Sequence, residues 1–213
     1  MPKVGIIGSG EVGRTLARGF QKHGYQVVMG SDHPEKLADF EKENPSIEVL
    51  GIEEAVRMGE TVVLCVKGTA AEKVVEKVSG SLAGKTVIDT TNPIAEAPPQ
   101  NGVLKFFTSL DDSLMERLQR IAPQARFVKA FSSIGSTLMV NPDLGGQKPT
   151  MFICGNDEAA KKRTSEILEA FGFEVEDVGM AESARAIEPL CILWCIPGFL
   201  KNEWTHAFKL LKK

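Results

Sequence analysis

The chain has 213 residues, enough for one full α/β domain with a short remainder, or at most two small ones. A chain of this size buries about 70% of its unfolded surface. With 43% hydrophobic and 25% charged residues, it has the composition of an ordinary globular protein, neither disordered nor fibrous. Lys and Arg total 25 against 28 acidic residues, so no basic excess is available to grip a phosphate backbone, and nucleic acid is not expected as a partner.

Short β-branched runs alternate with longer helical patterns, which predicts βαβ units and a parallel sheet. Val4 to Ile7 reads as a strand, Val12 to His23 as a helix and Tyr25 to Met29 as the next strand. A proline at its first turn opens a helix from Pro34 to Lys42, and Ile47 to Leu50 is a short strand. The run from Thr61 to Val66 is apolar throughout, as expected of a central strand covered on both faces. A helix from about Ala70 to Val78 leads to a strand from Lys85 to Asp89, after which Thr90 to Ser109, rich in Pro, Asn and Gly, reads as loop. The alternation resumes with a helix from Ser113 to Ile121 and a strand from Arg126 to Ala130, then lapses from Phe131 to Gln147. Thr150 to Cys154 is a strand, Asn156 or Asp157 caps a helix running to about Ala170 and stopped by Gly172, and Glu174 to Val178 is a last strand. Beyond Ala181 only helical periodicity remains, interrupted by Pro189 and by Pro197-Gly198. The expected architecture is α/β, a Rossmann-type doubly wound, mostly parallel sheet over residues 1–179, with a short helical C-terminal segment over 180–213.

The sharpest chemical signal is the run KVGIIGSGEVG, in which Gly8, Gly10 and Gly13 fill a G-x-G-x-x-G pattern around Ser9, Glu11 and Val12. The pattern follows a strand and opens a helix within a βαβ unit, the context in which it binds a dinucleotide. Gly8 permits the tight turn, Gly10 lets the backbone approach a pyrophosphate, and Gly13 lets the helix lie close to the sheet. The helix N-terminus supplies free N–H donors and partial positive charge to the phosphates. At the end of the second strand, an NAD site places an acid for the ribose 2′-OH, whereas an NADP site has a small residue and a nearby cation. Here Ser31 suits a 2′-phosphate and Asp32 opposes one, with Lys36 and a protonated His33 available to offset it. NADP and NAD both stay open on this reading.

Four cysteines at 65, 154, 191 and 195 make no C-x-x-C pair, which predicts neither a zinc site nor a disulfide framework. The N-terminal apolar run breaks into glycines too early for a signal peptide, and Pro189 to Leu200 is too short to span a bilayer. A cytoplasmic protein without a membrane partner is expected.

Taken in order, GSGEVG, VVMGS, LAGKTVIDTTNP, VKAFSSIG, MFICGNDEAAKK and EPLCILW resemble the coenzyme F420-dependent NADP oxidoreductase family, from Lys3 to about Phe199. They are also similar to the cytosolic oxidoreductase domain of the six-transmembrane metalloreductases. The resemblance implies a Rossmann domain that binds NADPH, a deazaflavin or flavin lying against the nicotinamide with help from the C-terminal segment, and a homodimer. By the same resemblance, Gly8 to Gly13 would hold the pyrophosphate, and Ser31 with Lys36 would meet the adenosine ribose or its phosphate. Val66 and Lys67 would border the cofactor, and Asn92, Pro93, Ala130 and Phe131 would line its nicotinamide end. Two departures stand out: Asp32 replaces the family's usual Arg, and Ser132-Ser133 replaces Asn-Thr.

Hydride transfer between nicotinamide and a flavin-like ring needs apposition and exclusion of water rather than a side-chain acid or base, so no catalytic residue is expected. His23, His33 and His206 are scattered and make no catalytic set, and no metal cluster is expected. Larger dehydrogenases that share the glycine loop append a helical domain for which about 35 residues do not suffice. A reductase of a small imine or carbonyl, and a non-catalytic dinucleotide sensor using Trp194 and Trp204 as interface anchors, are the competing expectations.

Overall fold

Six apolar runs pair in parallel at the centre of one sheet: Lys3–Ile7 (β1), Gln26–Gly30 (β2), Ile47–Leu50 (β3), Thr61–Leu64 (β4), Thr86–Asp89 (β5) and Arg126–Lys129 (β6). The coordinates are a computed structural model describing residues 1–213. Every residue of β4 and β5 is buried, because helices cover both faces. Two further strands, Thr150–Gly155 (β7) and Glu174–Asp177 (β8), extend the sheet to the order β3-β2-β1-β4-β5-β6-β7-β8. Only β7 against β6 is antiparallel, held by the pairs Val128↔Gly155 and Lys129↔Cys154. The order reverses between β1 and β4, and there an open α/β sheet leaves a crevice at its strands' carboxyl ends.

The helices are Glu11–Lys22 (α1), Ala38–Glu43 (α2), Ile52–Met58 (α3), Gly68–Leu82 (α4), Leu114–Ile121 (α5), Glu158–Ala170 (α6), Ala184–Ile187 (α7) and Leu190–Lys201 (α8). Leu16 and Phe20 of α1 and Ile167 and Leu168 of α6 join one core cluster with Phe171 and Phe173. Val74, Val75 and Val78 of α4 and Leu114 and Leu118 of α5 join the other, on the opposite face. The three-layer, doubly wound architecture expected from the alternation of strands and helices is the one observed.

Local departures have physical causes. The helix expected from Pro34 divides into a 3-10 turn, Pro34–Leu37, and α2. Helix α3 is absent from the sequence reading, since seven residues between Gly51 and Gly59 are too few to display a period. It nevertheless buries Ile52, Ala55 and Val56, and a Cβ on Gly5 would lie 2.5 Å from the Ala55 carbonyl oxygen. The loop at 90–109 is folded back on itself by the isolated bridges Ile94↔Phe106 and Gln100↔Val103.

The C-terminal segment differs most. Pro197 sits inside α8 without ending it; the helix stops at Asn202, whose φ of 56° is the left-handed conformation of a helix terminus. From Ala181 to Lys201 the chain makes a helical run of 21 residues, long and apolar enough by composition to cross a membrane, and longer than the stretch identified from sequence. Ala181, Ala184 and Ile187 of this run belong to the second core cluster. The last residues leave helix altogether and run back to β7, where the Thr150 N–H donates to the Phe208 carbonyl (2.9 Å) and the Leu210 N–H donates to Thr150 Oγ1 (3.0 Å).

Candidate functional site

At the β1–α1 junction, Gly8 and Gly13 occupy positions closed to any side chain. Gly8 has φ +126°, and a Cβ there would lie 2.5 Å from the Cys65 carbonyl oxygen at the end of β4. Gly13 is worse placed, its added Cβ falling on the Gly8 carbonyl oxygen. Gly10, by contrast, would point a Cβ into open space. It is the N-cap of α1, and no side chain caps that helix. The first N–H groups of α1 therefore face the crevice without an intrahelical acceptor.

The crevice continues from this loop toward the end of β2 as a cleft of about 580 Å³. Of the residues singled out from the sequence, Gly8, Ser9, Gly10, Ser31, Asp32, His33, Lys36, Val66 and Lys67 line it. Ser31 is buried, and its Oγ accepts from the His33 N–H at 3.1 Å. Asp32 meets Lys77 of α4 at 3.4 Å and His33 meets Glu35 at 3.3 Å. Arg14 also lines this cleft, a residue the sequence reading passed over because it lies one step beyond the glycine pattern. Its Nε donates to the Ser9 carbonyl (3.0 Å), and its guanidinium lies 5.5 Å from the centre of the Phe40 ring.

On the other side of Val66 and Lys67, a cleft of about 370 Å³ runs past Val12, Thr91, Asn92, Ile94 and Glu96. Gly68 opens α4 here, and its missing Cβ lets the helix approach the Asn92 carbonyl, which an added methyl would overlap. Asn92 Nδ2 donates to the Ser132 carbonyl at 2.7 Å, while Asn92 Oδ1 and Ser132 Oγ are buried without a protein partner. Burial pushes the Cys65 thiol up to about 12, against a Thr90 hydrogen bond that lowers it, which favours the protonated thiol in this cleft-lining cysteine.

Behind the Asn92 turn is a charged network invisible to sequence patterning. Lys129 is fully buried and contacts Asp89 Oδ2 (2.6 Å), Glu188 Oε1 (2.9 Å) and the Thr91 carbonyl (2.9 Å). Burial alone would depress the Lys129 pKa, but the facing Asp89 and Glu188 carboxylates outweigh it and raise it. Asp89 Oδ1 accepts from the Thr91 N–H and hydroxyl, and Glu188 accepts from the Leu114 and Met115 N–H groups at the start of α5. One lysine thus ties the turn beneath the cleft to the C-terminal helices.

Several expected residues lie elsewhere. Glu11 is exposed in the first turn of α1, Gly13 is buried beneath the loop, and Pro93 is buried beside Gly68. Ala130 and Phe131 are in the core rather than along either cleft. The Phe131 ring gains more from packing edge-on to Phe173, 6.0 Å between centres, than it would from a solvated crevice. To place it there the backbone adopts φ +62°, rare for a bulky residue. It is the next residue's carbonyl that reaches Asn92. The C-terminal segment lines neither cleft within one chain.

Residues 3–93, which contain both clefts' glycine and strand-end residues, match the family described as NADP oxidoreductase, coenzyme F420-dependent. The chain is 34% identical over 205 residues to metalloreductase STEAP3 of Rattus norvegicus, covering 93% of this chain and 39% of the relative. It therefore spans about two fifths of that relative's length. It is 27% identical to the F420-dependent NADP reductase of Methanothermobacter marburgensis, covering 98% and 99% of the two chains. A crystal structure from Arthrobacter sp. FB24, assigned by name to F420-dependent NADP reductases, superposes over the full length of both chains with TM-score 0.91 at 28% identity. Residues 3–93 thus match the family's model, and over its whole length the chain is similar in sequence and fold to proteins named F420-dependent NADP reductases.

Proposed function

We propose that the chain is an NADP(H)-dependent oxidoreductase that passes a hydride between the nicotinamide and a deazaflavin such as coenzyme F420, or a flavin. The observation that carries this reading is the pair of clefts at the β1/β4 switch point: one begins at an uncapped helix N-terminus and a glycine loop with open space beyond Gly10, the other ends at the Asn92 turn, and both are lined by Cys65, Val66 and Lys67. The residues present suit a nicotinamide dinucleotide. Gly10 and the α1 N–H groups would take the pyrophosphate, Ser31 the adenosine ribose phosphate, and the unpartnered Asn92 Oδ1 and Ser132 Oγ offer an acceptor and a donor to a carboxamide. When bound, the nicotinamide supplies the hydride. The chain's own contribution is position: the Lys129 network fixes the Asp89–Thr91 turn, and Gly68 lets α4 close on Asn92. The ionisable side chains lining this end are Cys65, Lys67 and Glu96, and hydride transfer itself asks none of them for a proton.

The same reading makes the working unit a homodimer in the cytoplasm, with a small-molecule redox partner and neither nucleic acid nor membrane as ligand. Leu193, Phe199 and Leu200 of α8 are 55%, 44% and 59% exposed, and a second copy of this chain is the proposed cover. Residues 180–213 would then complete the acceptor site across the dimer. The decisive experiment is anaerobic stopped-flow oxidation of NADPH and NADH with deazaflavin, FMN, FAD and a ferric chelate offered in turn. Rapid oxidation by deazaflavin or flavin is expected. Tight dinucleotide binding without turnover toward any acceptor would replace the enzyme with a dinucleotide sensor, and turnover with the chelate alone would move the acceptor to a metal ion, as in the metalloreductases' name.

A further inference from the structure

The adenosine end of the cleft poses a charge problem. A 2′-phosphate brings roughly two negative charges, yet Asp32 stands beside Ser31 where a cation would be wanted. The folded chain answers it from two other elements. Lys77, 45 residues away on α4, places its ammonium 3.4 Å from Asp32 Oδ1, so the acid meets a ligand as half of an ion pair. His33 is engaged with Glu35. Lys36 and Lys67 line the cleft as well but are exposed, whereas Arg14 is partly buried and has no carboxylate within 4 Å.

Its neighbour on the same helix shows how unusual that is. Arg14 and Arg18 both lie against the Phe40 ring, at 5.5 and 5.0 Å from its centre. Arg18 is satisfied by Asn44 Oδ1 (3.3 Å) and Glu43 (3.8 Å). Arg14 spends only its Nε, on the Ser9 carbonyl, and that bond together with the ring holds the guanidinium in place while both terminal nitrogens stay free. A planar fork fixed at its base, with two free amino groups and no counter-ion, is a preorganised phosphate receptor. Ser31 Oγ accepts from the His33 N–H and so keeps its own hydrogen to donate.

We infer that Arg14, with Ser31, reads the 2′-phosphate of NADP(H), and that Lys77 permits this by neutralising Asp32. Selectivity is then assembled from α1, the end of β2 and α4, rather than from the loop after β2 alone. The inference rests on the dinucleotide reading above and goes further by naming the discriminating residues.

The test is calorimetric affinity for NADPH and for NADH, measured on the full chain and on Arg14→Gln, Lys77→Gln, and Lys77→Gln with Asp32→Asn, with thermal melts to confirm folding. Arg14→Gln should weaken NADPH about 10–100-fold, the range of one lost charge-assisted pair, and leave NADH within about threefold. Lys77→Gln should lower the NADPH preference several-fold, and adding Asp32→Asn should restore it. Arg14→Gln weakening both nucleotides equally, or neither, overturns the assignment of Arg14 while leaving dinucleotide binding intact. A wild-type chain that binds neither nucleotide overturns the dinucleotide reading itself, and one that prefers NADH overturns the selectivity with binding preserved.

Discussion

Gly10 and Gly13 are three residues apart in one motif, yet substitution should separate their roles. Gly10→Asp adds its side chain to open space, so the fold should persist with a melting temperature within a few degrees of wild type, while dinucleotide affinity falls beyond detection as bulk and charge enter the pyrophosphate position. Unchanged affinity by calorimetry would remove the loop from the site. Gly13→Val should instead destabilise the protein by about 1–3 kcal/mol in urea unfolding, because the new Cβ falls on the Gly8 carbonyl, a backbone atom that cannot step aside. Glu116 is a second residue whose environment speaks. The Arg185 hydrogen bond, reinforced by Ser113 against a burial effect in the other direction, brings its carboxyl from 4.5 down to about 2. A depressed folded-state value means stabilisation that is complete above the ordinary carboxylate range and lost as the pH falls through about 2. Glu116→Gln, which keeps a capping-box side chain on α5 but removes the charge that meets Arg185, should cost about 0.5–2 kcal/mol at pH 7, and its melting curve should converge on the wild type's near pH 2. A gap that persists at the lowest pH would assign the effect to packing instead. The glycine residues and Ser31 were legible from sequence because their spacing is the signal. Arg14 was not, since a lone Arg on a helix carries no pattern until Phe40 and Ser9 are seen to hold it.

Strands β5 and β6 and the C-terminal helices meet at Lys129, and the sequence gives no hint of it: a Lys at the end of an apolar strand reads as a solvated strand end. Folding places Asp89, Glu188 and the Thr91 carbonyl around it and leaves it fully buried. Lys129→Met should destabilise by about 3–5 kcal/mol, because two buried carboxylates lose their counter-charge, and combining it with Glu188→Gln should recover part of that loss. Urea titrations of the single and double variants would decide; a double variant no better than the single would show that the carboxylates are not what the lysine neutralises. At this scale the long amphipathic helices and apolar strands were predictable from periodicity alone. Helix α3 was not, and neither was the persistence of α8 through Pro197, whose missing N–H costs one bond, to the Leu193 carbonyl, without ending the helix.

For the molecule as a whole, the exposed apolar stripe of α8 carries the remaining prediction. Multi-angle light scattering should give twice the 23.1 kDa chain mass, and Leu193→Asp with Leu200→Asp should halve it while leaving secondary structure intact. A wild-type monomer would leave the acceptor site to be completed within one chain. The amino-acid sequence by itself determined the fold class, the strand-by-strand alternation and the phosphate-binding loop, because hydrophobic period and glycine spacing are local properties that survive being read in one dimension. It located Ser31, Asp32, Val66, Lys67 and Asn92 near one crevice for the same reason: each closes a strand, and strand ends converge on one edge of a parallel sheet. What only the tertiary structure decided were the partners drawn from distant elements: Lys77 for Asp32, Glu188 for Lys129, the core rather than the cleft for the Phe131 ring, and β7 for the end of the chain. Charge pairing and burial depend on which elements come to lie side by side, and spacing along the chain does not encode that.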